Sequence, residues 1–279
     1  RRSAPGRIAP LPAGATHLRW LGAARGPVAV CIHGLTTPSC AWDLLAPRLG
    51  ALGYRVLVYD LYGRGFSDRP RGRQDAEFFV AQLDALLDDQ EVGADLTLIG
   101  HSMGAAIAVA YAARRPERVR RLVLLAPAGL TPVSVALHRL LLEVPVLGDL
   151  AFLAAYPVML RRGIAAERAT PRAVPGIHDR QRAELRWRGF LPAVKSSLRG
   201  LLAAPRETDH RRVAAAGLPV LALWGAEDSV TPATGAGRLA EWNRAARQDV
   251  LAGAGHGLVY THAGEVAAEI AHCLEERPN

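Results

Sequence analysis

The stretch Leu96-Thr97-Leu98-Ile99-Gly100-His101-Ser102-Met103-Gly104 changes its period partway along. Residues 96–99 form a continuous apolar or β-branched run, the pattern of a strand covered on both faces. Residues 103–115 are almost all small or apolar over their early turns, which predicts a buried helix, and Pro116 ends it. Ser102 falls on the turn between the two. Glycine stands two positions before it and two after, where a side chain would clash with so tight a turn. A serine held this way projects from the carboxyl edge of a sheet, and the amino end of the following helix favours developing negative charge.

The same alternation extends in both directions. Apolar runs at 28–32, 54–59, 122–126 and 219–224 read as further strands. Between them, 42–52 and 75–89 read as helices, the second with Phe78, Phe79, Leu83, Leu86 and Leu87 at helical spacing, and 265–274 reads as another. Strands alternating with helices predict a mostly parallel central sheet with helices on both faces. From 128 to 212 no strand pattern occurs, and this stretch is predicted to be an inserted helical cap, leaving 1–127 and 213–279 as the core. The cap carries Leu140-Leu141-Leu142, Val144, Val146-Leu147, Leu150, Phe152-Leu153, Tyr156 and Val158-Met159-Leu160. Part of this apolar surface must bury merely to fold; the rest is expected to roof an apolar pocket above the Ser102 turn.

A serine hydroxyl is a weak nucleophile without a base. Of nine histidines, His256 is the best placed, in Gly253-Ala254-Gly255-His256-Gly257 after the strand-like Asp249-Val250-Leu251. His262 and His272 read as packing or surface residues, His138, His178 and His210 as solvated ones, and His17 has no evident role. The base needs an orienting acid after a strand end. Trp224-Gly225-Ala226-Glu227-Asp228-Ser229 offers Asp228, with Glu227 its local rival. The strand ending at Ala126 is followed by no acid. The order serine, aspartate, histidine is thus 102, 228, 256.

An oxyanion requires two donors. The amide of Met103 supplies one. The other is expected from Leu35 in His33-Gly34-Leu35-Thr36-Thr37, where Gly34 permits close approach and Thr36, Thr37 or Ser39 offers a hydroxyl. His33, Gly34, Thr36 and His101 are expected around the substrate, with His33 foremost a hydrogen bonder that fixes its loop. This chemistry requires no metal and no organic cofactor.

Composition narrows the partners. The chain has 279 residues, 50% hydrophobic and 22% charged, ample for a globular core. Its formal charge of +8 comes from arginines spread along the whole chain, Lys195 being the only lysine. No basic cluster is interleaved with aromatics, so no nucleic-acid partner is expected. Cys31, Cys40 and Cys273 are an odd number without metal or disulfide spacing, which suits a reducing compartment and a cytoplasmic location. No apolar run is long enough to span a membrane. The sequence leaves the oligomeric state open.

Together with Asp60-Leu61-Tyr62-Gly63-Arg64-Gly65-Phe66-Ser67-Asp68-Arg69-Pro70, these segments resemble the α/β-hydrolase superfamily, in order and over nearly the whole chain. The resemblance implies the α/β-hydrolase fold and a serine hydrolase acting on a small-molecule ester or related acyl substrate, with the Asp60 segment architectural. Serine at 102 argues against the dehalogenases and epoxide hydrolases of the superfamily, which use aspartate there. It leaves esterases and lipases, thioesterases, amidases, carbon–carbon bond hydrolases, perhydrolases and slow-turnover ligand receptors. A carbon–carbon hydrolase would need cationic groups such as Arg186, Arg188 or Lys195. One departure is that many relatives continue the elbow with a further glycine, where this chain has Ala105 and Ala106.

Overall fold

The computed structural model describes residues 5–131, 146–167 and 174–275. The apolar runs become the inner strands of one eight-stranded sheet: β1 (Arg7–Leu11), β2 (Gly14–Gly22), β3 (Val28–Ile32), β4 (Arg55–Tyr59), β5 (Leu96–His101), β6 (Val119–Leu125), β7 (Val220–Gly225) and β8 (Arg247–Leu251). Their spatial order is β1-β2-β4-β3-β5-β6-β7-β8. The β1–β2 and β2–β4 pairs are antiparallel, and every other pair is parallel. Ile32 pairs with Gly100, and His101 with Leu125, so the carboxyl ends of β3, β5 and β6 lie side by side beneath Ser102.

Period-two alternation divides the strand side chains between two cores. Val30, Ile32, Leu57, Leu98, Leu122 and Leu124 face one layer. It contains α2 (Ala76–Asp89), α3 (Met103–Ala112), α7 (Glu207–Ala215) and α8 (Gly235–Trp242). Ala29, Cys31, Val56, Ile99, Val123 and Leu221 face the other, with α1 (Leu45–Ala51), α9 (Leu258–Thr261) and α10 (Ala263–Glu275). The expected apolar stripe of α2 is realised: Phe79, Leu83, Leu86 and Leu87 are fully buried, each stabilising by about 1.5–3 kcal/mol. Asp75 caps that helix by accepting from the Phe78 amide at 3.1 Å. Helix α3 is buried on every side, which is why its sequence is small and apolar throughout.

Two strands and two short helices, α8 and α9, escaped the sequence reading. β1 and β2 form the antiparallel edge and are exposed at several positions, so they lack a continuous apolar run. Helices α8 and α9 are only eight and four residues long, too short for a clear helical period.

Between β6 and β7 no strand occurs among the described residues. The chain runs instead through α4 (Leu147–Glu167), α5 (Ile177–Glu184), α6 (Phe190–Arg199) and α7. Residue 212, the expected end of the cap, lies inside α7, and α7 packs on α3. Phe152 is buried and stacks on Tyr156 at 4.7 Å, whereas Leu147, Leu150, Leu153, Val158 and Met159 are exposed. Leu140, Leu141, Leu142, Val144 and His138 lie outside the described residues. His210 corrects the expectation of a solvated side chain. It is buried between α7 and Trp242, and burial lowers its pKa to about 4. No helix among the described residues is long and apolar enough to cross a membrane.

Candidate active site

Ser102 joins β5 to α3 with φ 54° and ψ −119°, a conformation that L-residues adopt only under constraint. Its amide donates to the carbonyl of Leu125 at 2.9 Å, which anchors the turn to β6. The glycines on either side are required by close approach. A Cβ on Gly100 would lie 2.5 Å from Ala105 Cα, and one on Gly104 would lie 2.7 Å from the carbonyl oxygen of His33. Ala105 and Ala106 are themselves buried, so both methyl groups pack within the fold.

The turn brings Ser102 to His256, 154 residues away in sequence. His256 Nε2 lies 3.0 Å from Ser102 Oγ. On the other side of the ring, Nδ1 lies 2.9 Å from Asp228 Oδ2, whose side chain is completely buried. Glu227, the rival acid, is exposed. Burial alone would raise the Asp228 pKa. The hydrogen bond and charge of His256, with donors from Thr231, outweigh it and hold the carboxyl below its usual range. The amides of Val230 and Thr231 donate to Asp228 Oδ1 at 2.7 and 2.9 Å, and the Thr231 hydroxyl donates to Oδ2 at 2.8 Å. Thr231 is a residue the sequence reading missed. Its place three residues after an aspartate, in a turn where Asp side chains bond the following backbone, is the cue that was available.

Gly34 packs against this turn: a Cβ there would sit 3.3 Å from both Ser102 Cβ and His101 Nδ1. Leu35 and Thr36 are half-buried beside it. Met103 opens α3, so its amide has no partner within the helix.

Two of the residues expected around the substrate, His33 and His101, make hydrogen bonds within the protein. His33 is fully buried; its Nδ1–H donates to the carbonyl of Gly34 at 2.8 Å, and its Nε2 accepts from the Leu61 amide at 2.9 Å. Burial lowers its pKa to about 4, so the ring is neutral and both nitrogens serve the loop. His101 Nε2 donates to the carbonyl of His256 at 2.8 Å, and burial, helped by His256, lowers its pKa to about 3. Through this bond it supports the His256 loop. Thr37 accepts from Gln181 at 2.9 Å, and Thr37 and Ser39 are both buried, leaving half-buried Thr36 as the more accessible hydroxyl of the loop.

Asp60 is a buried organiser. It accepts from the amides of Ser39 and Phe66 and pairs with His17 Nδ1 at 2.8 Å. Burial works to raise its pKa, but His17 and these donors bring it down to about 2. His17, for which the sequence offered no role, is its partner on β2.

Similarities to known proteins agree with this architecture. Residues 27–263 match the family described as alpha/beta hydrolase fold. The chain is 30% identical over 259 residues to 2-hydroxymuconate semialdehyde hydrolase from Pseudomonas sp. (strain CF600), covering 88% of this chain and 86% of that protein. Its fold is similar to that of an esterase from Exiguobacterium antarcticum, with a TM-score of 0.80, 18% identity and coverage of 97% of this chain and 100% of that one. It is also similar to the enol-lactonase from Burkholderia xenovorans LB400, with a TM-score of 0.76, 22% identity and coverage of 97% and 100%. With a mostly parallel sheet, an elbow serine between β5 and α3 and a family match over most of its length, the chain belongs to the alpha/beta hydrolase fold family.

Proposed function

We propose that the chain is a serine hydrolase in which Ser102, His256 and Asp228 act as nucleophile, base and orienting acid, and that it cleaves carboxylic esters with an apolar acyl group. One observation carries the reading: His256 lies between Ser102 Oγ at 3.0 Å and a buried Asp228 carboxylate at 2.9 Å. The carboxylate holds the proton on Nδ1, so the lone pair of Nε2 faces the serine hydroxyl. Nε2 takes the Oγ proton as Oγ attacks the substrate carbonyl. The amides of Leu35 and Met103 receive the oxyanion, and the positive end of α3 supports it. His256 then returns the proton to the leaving oxygen, releasing the alcohol. Water attacks the acyl-enzyme while His256 again accepts a proton, and collapse frees the acid and Ser102. In this reading residues 128–212 act as a cap that roofs the acyl site.

A second reading, hydrolysis of a carbon–carbon bond in a ring-cleavage product, is favoured by the similarity to 2-hydroxymuconate semialdehyde hydrolase. The cations expected for it are less well placed. Arg186 and Arg188 are exposed, and Lys195 is paired with Asp149.

The purified protein, treated with a fluorophosphonate probe and assayed on aryl esters and on a dienoic ring-cleavage product, separates these readings. Ester turnover that Ser102→Ala lowers on the order of 10⁶-fold, with the probe on Ser102, is the expected result. Turnover of the ring-cleavage product alone would replace the ester reading with the second one. An unlabelled Ser102 would overturn both.

A further inference from the structure

Arg64 takes no part in the reaction above, yet it is fully buried, and burying a guanidinium costs several kcal/mol unless its donors are well used. Among the described residues its hydrogen bonds go to four neutral acceptors, one in its own turn and three from elsewhere in the chain. Nε donates to the carbonyl of Leu35 at 3.1 Å. Nη1 donates to the carbonyl of Tyr62 at 2.9 Å and to Gln74 Oε1 at 2.5 Å. Nη2 donates to the hydroxyl of Ser197, on α6, at 2.8 Å. Burial lowers its pKa only to about 9, so it stays charged near neutrality.

The Leu35 contact matters because of what lies on the other side of that residue. The amide of Leu35 belongs to the peptide unit whose carbonyl is that of Gly34, and His33 Nδ1–H holds that carbonyl at 2.8 Å. Arg64 holds the carbonyl of the next peptide unit. The two planar units that meet at Leu35 Cα are therefore each pinned by a buried side-chain donor, and together they set where the Leu35 amide aims. His33 ties the first unit to the core. Arg64 ties the second to α6, and the turn carrying Arg64 presses on the same helix: a Cβ on Gly63 would collide with Ala193 of α6. The hydroxyl of Ser197 also donates to Gln74 Oε1 at 2.7 Å, so α6, Gln74 and Arg64 form one connected unit.

We propose that Arg64 is a positioning residue that couples the seating of helix α6 to the direction of the Leu35 amide, so that docking of the inserted helices is registered as stabilisation of the oxyanion. The coupling rests on the acyl-transfer reading above. Lysine cannot replace arginine here, because a single ammonium lacks the planar fork that reaches Leu35, Tyr62 and Ser197 together.

The test measures kcat and KM per titrated active site on an aryl ester for wild type, Arg64→Met, Arg64→Lys and Ser197→Ala, with melting temperatures and pH–rate profiles. Removal of an oxyanion donor costs about 10²–10³ in kcat, and misaiming one costs less. Arg64→Met is expected to lower kcat about 10–100-fold with KM changed less than about twofold and the shape of the pH–rate profile unchanged. Arg64→Lys should recover little, and Ser197→Ala should lower kcat several-fold in the same sense. A purely structural Arg64 would lower the melting temperature and the titrated fraction, while kcat per site stayed at the wild-type value; that result overturns the proposal. If Arg64→Met does not fold, Ser197→Ala decides, and an unchanged kcat there overturns the coupling. A wild-type protein inactive on every ester refutes the parent reading instead, so the two failures are distinct.

Discussion

The hydroxyl of Thr231 lies 2.8 Å from Asp228 Oδ2, 3.2 Å from His256 Nδ1 and 3.0 Å from the carbonyl of Ala126 at the end of β6. It links the acid to the neighbouring strand and fixes the oxygen that faces the imidazole. Hydrogen bonds to charged groups are worth about 1.5–3 kcal/mol, and Thr231→Val removes this one at almost constant volume. The expected outcome is a fall in kcat/KM of about tenfold or more with an unchanged fold by circular dichroism. Retention of the wild-type rate would show that the backbone amides of Val230 and Thr231 suffice to hold Asp228.

Asp228 and Glu227 are neighbours with opposite environments, one buried on His256 and the other exposed. Asp228→Asn should lower kcat by about 10⁴-fold through the wrong tautomer, and Glu227→Gln should change it less than about twofold. Comparable losses in the two variants would remove Asp228 from its role.

Gly104 leaves no space for a methyl group, since a Cβ would run into the carbonyls of Ile32 and His33. Gly104→Ala must push α3 away from β3 or distort the elbow. Overpacking of this kind costs about 1–3 kcal/mol, read as a lower urea midpoint, and activity should fall further than stability because the Ser102 turn moves with it. A fully active, equally stable variant would contradict the close approach.

If the inserted helices roof an apolar acyl pocket, kcat/KM should rise along the acetyl, butanoyl, hexanoyl and octanoyl aryl esters. Each buried methylene adds about 0.8 kcal/mol, roughly fourfold per carbon. A maximum at acetyl, falling with each added carbon, would argue for a small closed site and for the ring-cleavage reading.

Three histidines couple stability to pH. His33, His101 and His210 are buried, and their pKa values fall to about 4, 3 and 4. Each is lower folded than unfolded, where the usual value is about 6.5. The unfolded chain therefore binds protons first as pH falls below about 6.5, and stability declines from there towards pH 4, on the order of 2 kcal/mol per histidine by pH 5. Asp60, depressed to about 2, adds a second loss as pH falls below about 4. His17, raised by Asp60 against the effect of burial, opposes the first trend, its contribution being present at low pH and lost as pH rises through its folded value. Urea unfolding at pH 7.5 and pH 5 should show the decline, and His210→Gln should lessen it. Buried Glu184, raised to about 7, opposes the decline as His17 does, so a His210→Gln variant with an undiminished decline is the result that would mean the His210 ring is charged or exposed.

Local constraints made much of this protein legible. A strand that must turn at once into a helix restricts residue types within nine positions, so Gly100, Ser102 and Gly104 announce themselves. Strands covered on both faces must be apolar throughout, so β3 to β7 stand out from their surroundings, whereas β1 and β2 at the antiparallel edge do not. Asp228 and His256 follow strands β7 and β8 in a chain order that needed no coordinates. Histidine roles were a different matter, because a ring's charge and tautomer depend on atoms that arrive from elsewhere. Nothing near His33 indicates that Leu61 will donate to it, nothing near His210 that Trp242 will cover it, and nothing near His101 that its proton will go to the His256 loop. Arg64 is the extreme case: its acceptors span residues 35 to 197, and only the packing of α6 against the β4 turn brings them to one guanidinium. The sequence by itself determined the elbow, the parallel sheet and the order of the three site residues, since each is imposed by backbone geometry over a short span. The tertiary structure decided which buried polar groups hold that site in place, because burial and hydrogen bonding are properties of neighbours that the chain brings together only when it folds.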